Sequence, residues 1–291
     1  MRSIAAALLG LIPYALAASR TSPPSGCLVV SKSPASGQYG TVSAAVKAVA
    51  ASSSSAPQCI FIYPGTYAEQ VLVPSLKTSQ LSIYGSTTET SSYGANTVTL
   101  TSSLSQANGL SNDETGTLRV KAAGFRLYNV NVNNEYGKGS QAVALSAQAD
   151  SGYYGCGFTG FQDTLLANSG RQVYSRCLVQ GATDFVFGRR GAAWFERCDV
   201  RVVSASLGYV TGKFFVRKKG VGDRGRWCKW LTNEYSIRKG VGLRLELLCL
   251  QWRHCCGSGW PQRAERGVLP GSTVGGVCEG GLPADRDFGR D

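Results

Sequence analysis

The sequence predicts an all-β fold, a single-stranded parallel β-helix closed at its N-terminal end by a short capping helix. Three observations carry this. First, equivalent residues recur every 21 positions: Cys156, Cys177 and Cys198; Asp163 and Asp184; Gln141 and Gln162. Gly160 with Gly181, Leu165 with Val186, Gly170 with Gly191 and Arg176 with Arg197 follow the same step. A period of this size means stacked supersecondary units. Second, the apolar runs are short and broken by glycine and polar turns, which makes the unit a set of strands. Third, segments such as Asn129-Val130-Asn131-Val132-Asn133 alternate with period 2, the pattern of strands with one buried face.

Residues 1–17, MRSIAAALLGLIPYALA, combine one Arg, an apolar run and an Ala-Leu-Ala end. They read as a secretory signal cut near Ala17, too short to span a bilayer. The polar segment 18–26, with two prolines, is expected to be a flexible lead-in. Thr41 to Ala51 has Ala and Val at helical spacing and supplies the capping helix, which covers an otherwise open sheet edge. Strand-like runs follow at 59–63, 70–74, 81–85, 97–101, 117–134 and 142–147. Thr87 to Asn96 and Ser102 to Glu114 are polar and read as loops leaving the coils. After Thr211 the pattern stops, and the tail is expected to be disordered or non-native.

The formal charge of +12 is unevenly placed: residues 1–212 hold 15 Lys and Arg against 10 acids, residues 213–291 hold 15 against 8. The last segment also carries four of five Trp, five of ten Cys and the one histidine, His254. A basic tail for nucleic acid is one reading; the favoured one is that this segment is not native coding sequence.

With no histidine in residues 1–212, a Ser-His-Asp or Cys-His arrangement is excluded there, as is a His-based zinc site. Residues one period apart in a β-helix sit about 4.8 Å apart on neighbouring strands. Asp163 and Asp184 are therefore expected side by side, and two such carboxylates do not both ionise easily. A neutral acid beside a carboxylate suits acyl transfer: one attacks a carbonyl, the other protonates the departing alkoxide. Gln141 and Gln162 can donate amide N–H bonds to the oxyanion. A polar ladder of purely structural value is the competing reading. The cysteine column fits either a disulfide or stacked thiols acting as small core hydrophobes. Cys27 and Cys59 can pair in an oxidising compartment.

Gln141-Ala142-Val143-Ala144-Leu145, Gly160-Phe161-Gln162-Asp163-Thr164-Leu165 and Asp184-Phe185-Val186-Phe187-Gly188 resemble the three central motifs of pectin methylesterases of fungal type. Pro64-Gly65-Thr66-Tyr67 with Glu69 resembles that family's N-terminal motif. The resemblance covers residues 27–212. It implies a right-handed parallel β-helix and, as partner, methyl-esterified galacturonan, with no metal or organic cofactor, no nucleic acid and no membrane. It makes Asp184 the nucleophile, Asp163 the general acid and then base, and Gln141 and Gln162 the oxyanion donors. Phe187 matches an aromatic groove position that binds substrate, and Leu166 falls where many members carry an aromatic residue. A secreted, extracellular monomer is the expected form.

The family's downstream Leu-Gly-Arg-Pro-Trp motif, whose arginine keeps the nucleophile ionised, is absent from residues 213–291. The genetic code suggests where it went. Reading the codons of Leu269 to Arg290 one base out of phase permits YLGRPWGEYARVVFQQTEISD, which contains the motif. Gly212-Lys213 admits a 5′ splice signal, Leu231-Thr232 a branch point and Tyr235-Ser236 an acceptor. Residues 213–236 are thus read as a retained intron and 237–291 as an out-of-frame tail, and the chain as written is expected to be weakly active or inactive. Two rivals stand beside the esterase reading: a lyase or glycosidase on the same scaffold, and a non-catalytic polysaccharide-binding protein. The first needs a calcium-binding acid cluster or more widely separated carboxylates.

Overall fold

The computed structural model describes residues 18–203, 209–213 and 242–251; the expected export signal 1–17, nearly all of 213–236 and much of 237–291 lie outside the described residues. Three strands make each turn of the coil. Leu145–Ala147, Ser151–Tyr154 and Gly157–Thr159 form one turn; Leu165–Ala167, Arg171–Ser175 and Leu178–Gly181 form the next. Like strands of successive turns pair in parallel, giving three ladders: Leu145 pairs with Leu165 and Leu165 with Val186, Tyr153 with Tyr174, Phe158 with Val179. The expected parallel β-helix is the fold.

The period-2 pattern sets what each ladder buries. Leu145, Leu165 and Val186 point inward from one wall, Phe158, Val179 and Val200 from another, all essentially inaccessible to solvent. From the third wall Tyr153, Tyr174 and Phe195 stack face to face with centroids 4.8 and 4.6 Å apart. Burying such rings contributes about 1.5–3 kcal/mol each.

The corners are sharp enough to need left-handed backbone. Gly155, Arg176 and Arg197 adopt φ of 59°, 54° and 50° immediately before the three cysteines, and Asp163 and Asp184 adopt 63° and 48° at the next corner. Aspartate tolerates this region better than most residues. The cysteines are reduced and buried, each thiol donating to a carbonyl one turn earlier: Cys156 to Leu127, Cys177 to Tyr153 and Cys198 to Tyr174, at 3.5, 3.4 and 3.3 Å. Of the two readings left open, stacked thiols hold. Cys27 and Cys59 form a disulfide.

The helix α1 (Val42–Ala51) buries Val42, Ala45, Val46 and Val49 and packs on Leu28–Val30, Gln58–Ile62 and Val71–Val73, at the first turns of the coil. Thr41 caps it, accepting from Ala44 N–H at 3.2 Å. The Glu69 carboxylate accepts from Val42 N–H at 2.8 Å and Ser43 N–H at 2.9 Å, where the helix dipole favours an anion.

Three expectations need correction. The lead-in 18–26 is anchored: the Arg20 guanidinium donates to Gly85 C=O at 3.2 Å and to Asn129 Oδ1 at 2.7 Å, and lies 4.8 Å from the Tyr84 ring centre. Carbonyl acceptors and a π face satisfy the charge that burial strips of water. The coil runs on past Thr211, since Thr211–Lys213 pairs in parallel with Val186–Gly188. And the tail supplies one strand, Gly242–Gln251, antiparallel to Ala192–Val202. Leu243-Arg244-Leu245-Glu246-Leu247 alternates with period 2, and such a run readily takes up an open strand edge.

Candidate active site

Asp163 and Asp184 occupy the same corner on successive turns. Gln162 bridges in parallel to Thr183, and Asp163 N–H donates to Thr183 C=O at 3.0 Å, so the two acids follow one another along one line. Gln141 lies one turn earlier, where Ala142 N–H donates to Gln162 C=O at 3.1 Å. Between that turn and the next the step shortens to 20, as Leu145 faces Leu165. Thr164 C=O accepts from both Ala144 N–H (2.8 Å) and Leu145 N–H (3.2 Å), a bulge that absorbs the extra residue beside the site. Gly181 is required here: a Cβ would come within 2.3 Å of Phe185 Cβ and 2.7 Å of Thr164 Oγ1.

Burial and charge separate the two acids. Asp163 is 4% exposed, while Asp184 is half-buried. Burial first, and the Asp184 charge second, push the Asp163 carboxyl up to about 7. Spacing alone pointed to mutual repulsion as the cause; desolvation outweighs it. Burial raises Asp184 as well. Ion pairs among the described residues involve Asp113, Asp150, Glu196 and Asp199, not Asp184.

A cleft of about 500 Å³ is lined by the apolar Leu166 and Phe187 and by polar groups, among them Asn112, Asp113, Lys121 and Arg189. Phe187 and Leu166 are only 3% and 5% exposed and pack with Val143 as a small apolar cluster apart from the main core. Asn112 joins cleft to acid: its Nδ2 donates to Asp163 Oδ2 at 3.3 Å.

Of the residues singled out from sequence, Gln141, Gln162, Asp163 and Asp184 thus fall on consecutive turns, with Phe187 three residues beyond Asp184 in the cleft wall. Asn112 was missed. It lies in the segment read as a plain loop, which instead carries a 3₁₀ turn, Gln106–Asn108, and a short helix, α2 (Asn112–Thr115). Ser111 followed three residues later by Glu114 is a capping box, and it was the available signal.

Known proteins resemble this chain in sequence and in fold. The family profile described as Pectinesterase matches residues 28–212. Probable pectinesterase A of Aspergillus fumigatus is 47% identical over 214 residues, covering 70% of this chain and 63% of that protein. A pectinesterase of Aspergillus aculeatus is 48% identical over 230 residues, covering 78% and 65%. The chain therefore spans just under two thirds of the length of these curated relatives. The crystal structure of the pectin methylesterase from Aspergillus niger superposes with a TM-score of 0.58 at 38% identity, covering 65% of this chain and 71% of that one. The carrot pectin methylesterase gives 0.57 at 30% identity, covering 65% and 58%. By its profile match and its similarity to these proteins, the chain belongs to the pectinesterase family.

Proposed function

We propose that this site is built to hydrolyse methyl esters of galacturonan, giving methanol and acidic pectate. The observation that carries the reading is the pair of acids on one corner line, one of them held protonated toward neutral pH by burial. Asp184, as carboxylate, attacks the ester carbonyl carbon and forms a tetrahedral oxyanion, to which the amides of Gln141 and Gln162 donate. Asp163 gives its proton to the departing methoxide, releasing methanol and leaving an acyl-enzyme anhydride. As carboxylate it then takes a proton from water, whose oxygen attacks the anhydride and frees both pectate and Asp184. Phe187 supports the sugar in the cleft. The protein acts as a secreted, extracellular monomer without a nucleic-acid or membrane partner. The Cys27–Cys59 disulfide fits an oxidising compartment, and among the described residues no helix is long and apolar enough to cross a membrane.

The chain as written is proposed to be weakly active or inactive. The missing arginine would otherwise keep Asp184 ionised, and residues 213–236 and 237–291 are proposed as intron read-through and out-of-frame sequence. Methanol release from methyl-esterified pectin is the test, run on this chain and on one ending in the in-phase sequence. The in-phase chain should turn over without calcium and without cutting the polymer. Asp184→Asn should lower the rate by about a thousandfold or more while pectin binding persists. Chain cleavage, or full activity in Asp184→Asn, would refute the esterase reading. Ordinary enzyme rates from the 291-residue chain would refute its weak activity.

A further inference from the structure

The segment between Val98–Ser102 and Leu118–Val120 is pinned at several points to the turn that carries Gln141. Gln106 N–H donates to Gln141 C=O at 2.9 Å, and Ala107 N–H to Ser140 Oγ at 3.1 Å. The buried Asn134 amide holds Leu104, Thr115 and Val143 carbonyls at 2.9, 3.1 and 3.0 Å. Asp113 fastens α2 to the outer wall: it accepts from Arg119 at 2.6 Å and Ser146 at 2.7 Å, with Lys121 at 3.4 Å. Those cations keep Asp113 ionised despite its burial.

On this rigid mount the Asn112 side chain has both ends engaged. Its Oδ1 accepts from Gln106 Nε2, and its Nδ2 donates to Asp163 Oδ2. With Gln106 donating and Asp163 ionised, only this orientation satisfies both contacts. A flipped amide would set Nδ2 against the Gln106 donor and Oδ1 against an acid oxygen that is a lone-pair acceptor whenever Asp163 is ionised. We propose that Asn112 is a positioning residue for Asp163: aimed by Gln106, it holds one carboxyl oxygen and leaves the other to carry the exchanging proton toward the ester. The Asp163 carboxyl meets Asp184 from the next turn and Asn112 from α2, while the Asp113 charge is taken up by Arg119 and Lys121. Asn112 thus opposes, by a donated N–H, the two influences that drive Asp163 toward neutrality. The inference rests on the acid and base role proposed for Asp163.

Carbon-13 NMR titration of aspartate carboxyls in the 291-residue chain tests it without needing turnover, with Asp163→Asn assigning the signal. Asn112→Ala should raise the Asp163 midpoint by about one pH unit, since a donor to the charged form is lost. Gln106→Ala, which frees Asn112 to rotate, should raise it by a smaller amount and serves if Asn112→Ala does not fold. An unchanged midpoint in the folded variants overturns the inference, even if the in-phase chain releases methanol. A raised midpoint in a protein whose in-phase form releases no methanol would leave Asn112 holding Asp163 and sink the esterase reading instead.

Discussion

One period builds two columns, and they do opposite things. Cys156, Cys177 and Cys198 stand at one corner of the coil, wholly buried, each thiol spent on a carbonyl one turn away. Asp163 and Asp184 stand at the next corner with the same spacing, but they themselves take the left-handed backbone that falls one residue before each cysteine, and they are linked to the cleft through Asn112 and are short of partners. Repetition alone therefore does not make a site. Facing and satisfaction decide: the thiols lose nothing by being enclosed, whereas a carboxyl enclosed without a cation is driven toward its neutral form. That cost is what acid catalysis uses.

The sharpest contrast among the cysteines is between the bonded pair and the free column. Reduction should destabilise the protein by about 3–4 kcal/mol through the loop closed by Cys27 and Cys59, which are 32 residues apart. Cys27→Ser should abolish that sensitivity in urea unfolding. Sensitivity that survives in Cys27→Ser once the five tail cysteines are also replaced would mean the column is oxidised too, and the contrast between the columns would fail.

Next in size is a pH effect confined to the aspartates. The folded Asp163 carboxyl lies at about 7, above its unfolded value, so its stabilising contribution is complete below about pH 4 and is lost as pH rises through 7. Asp163→Asn carries no such loss. Its stability relative to the parent should rise by on the order of 2–3 kcal/mol between pH 4 and pH 9, discounted from the roughly 1.4 kcal/mol that each pH unit between folded and unfolded midpoints represents. A flat difference across that range would place Asp163 in water.

The smallest effect concerns the column's interior. Cys177→Ala should cost about 1–2 kcal/mol in unfolding experiments through lost packing. In the in-phase chain it should leave methanol release within a few-fold. A loss of turnover approaching that of Asp184→Asn would make both columns functional.

Much of this was legible in the chain. The 21-residue step located both columns, and strand and helix periodicity located the capping helix and most strands, because a stacked coil maps sequence spacing directly onto spatial neighbours. What escaped depended on contacts between non-equivalent positions. Asn112 reaches Asp163 from 51 residues away through an inserted loop that no period announces. Arg20 reaches Asn129 from 109 residues away. The bulge at Ala144 and Leu145 hides because the glutamines keep the 21-residue step while the strand register slips to 20. The strand Gly242–Gln251 pairs against the run of the coil, and a parallel repeat gives no hint of an antiparallel partner.

The proposed site depends on the nearness of Asp163 and Asp184, and the most direct measurement is the titration of Asp163 in Asp184→Asn. Removing a charge one turn away should lower the Asp163 midpoint from about 7 while burial keeps it above the ordinary carboxylate range. An Asp163 midpoint identical in the parent and in Asp184→Asn would show that the two carboxyls do not sense each other, and the paired-acid site would be wrong.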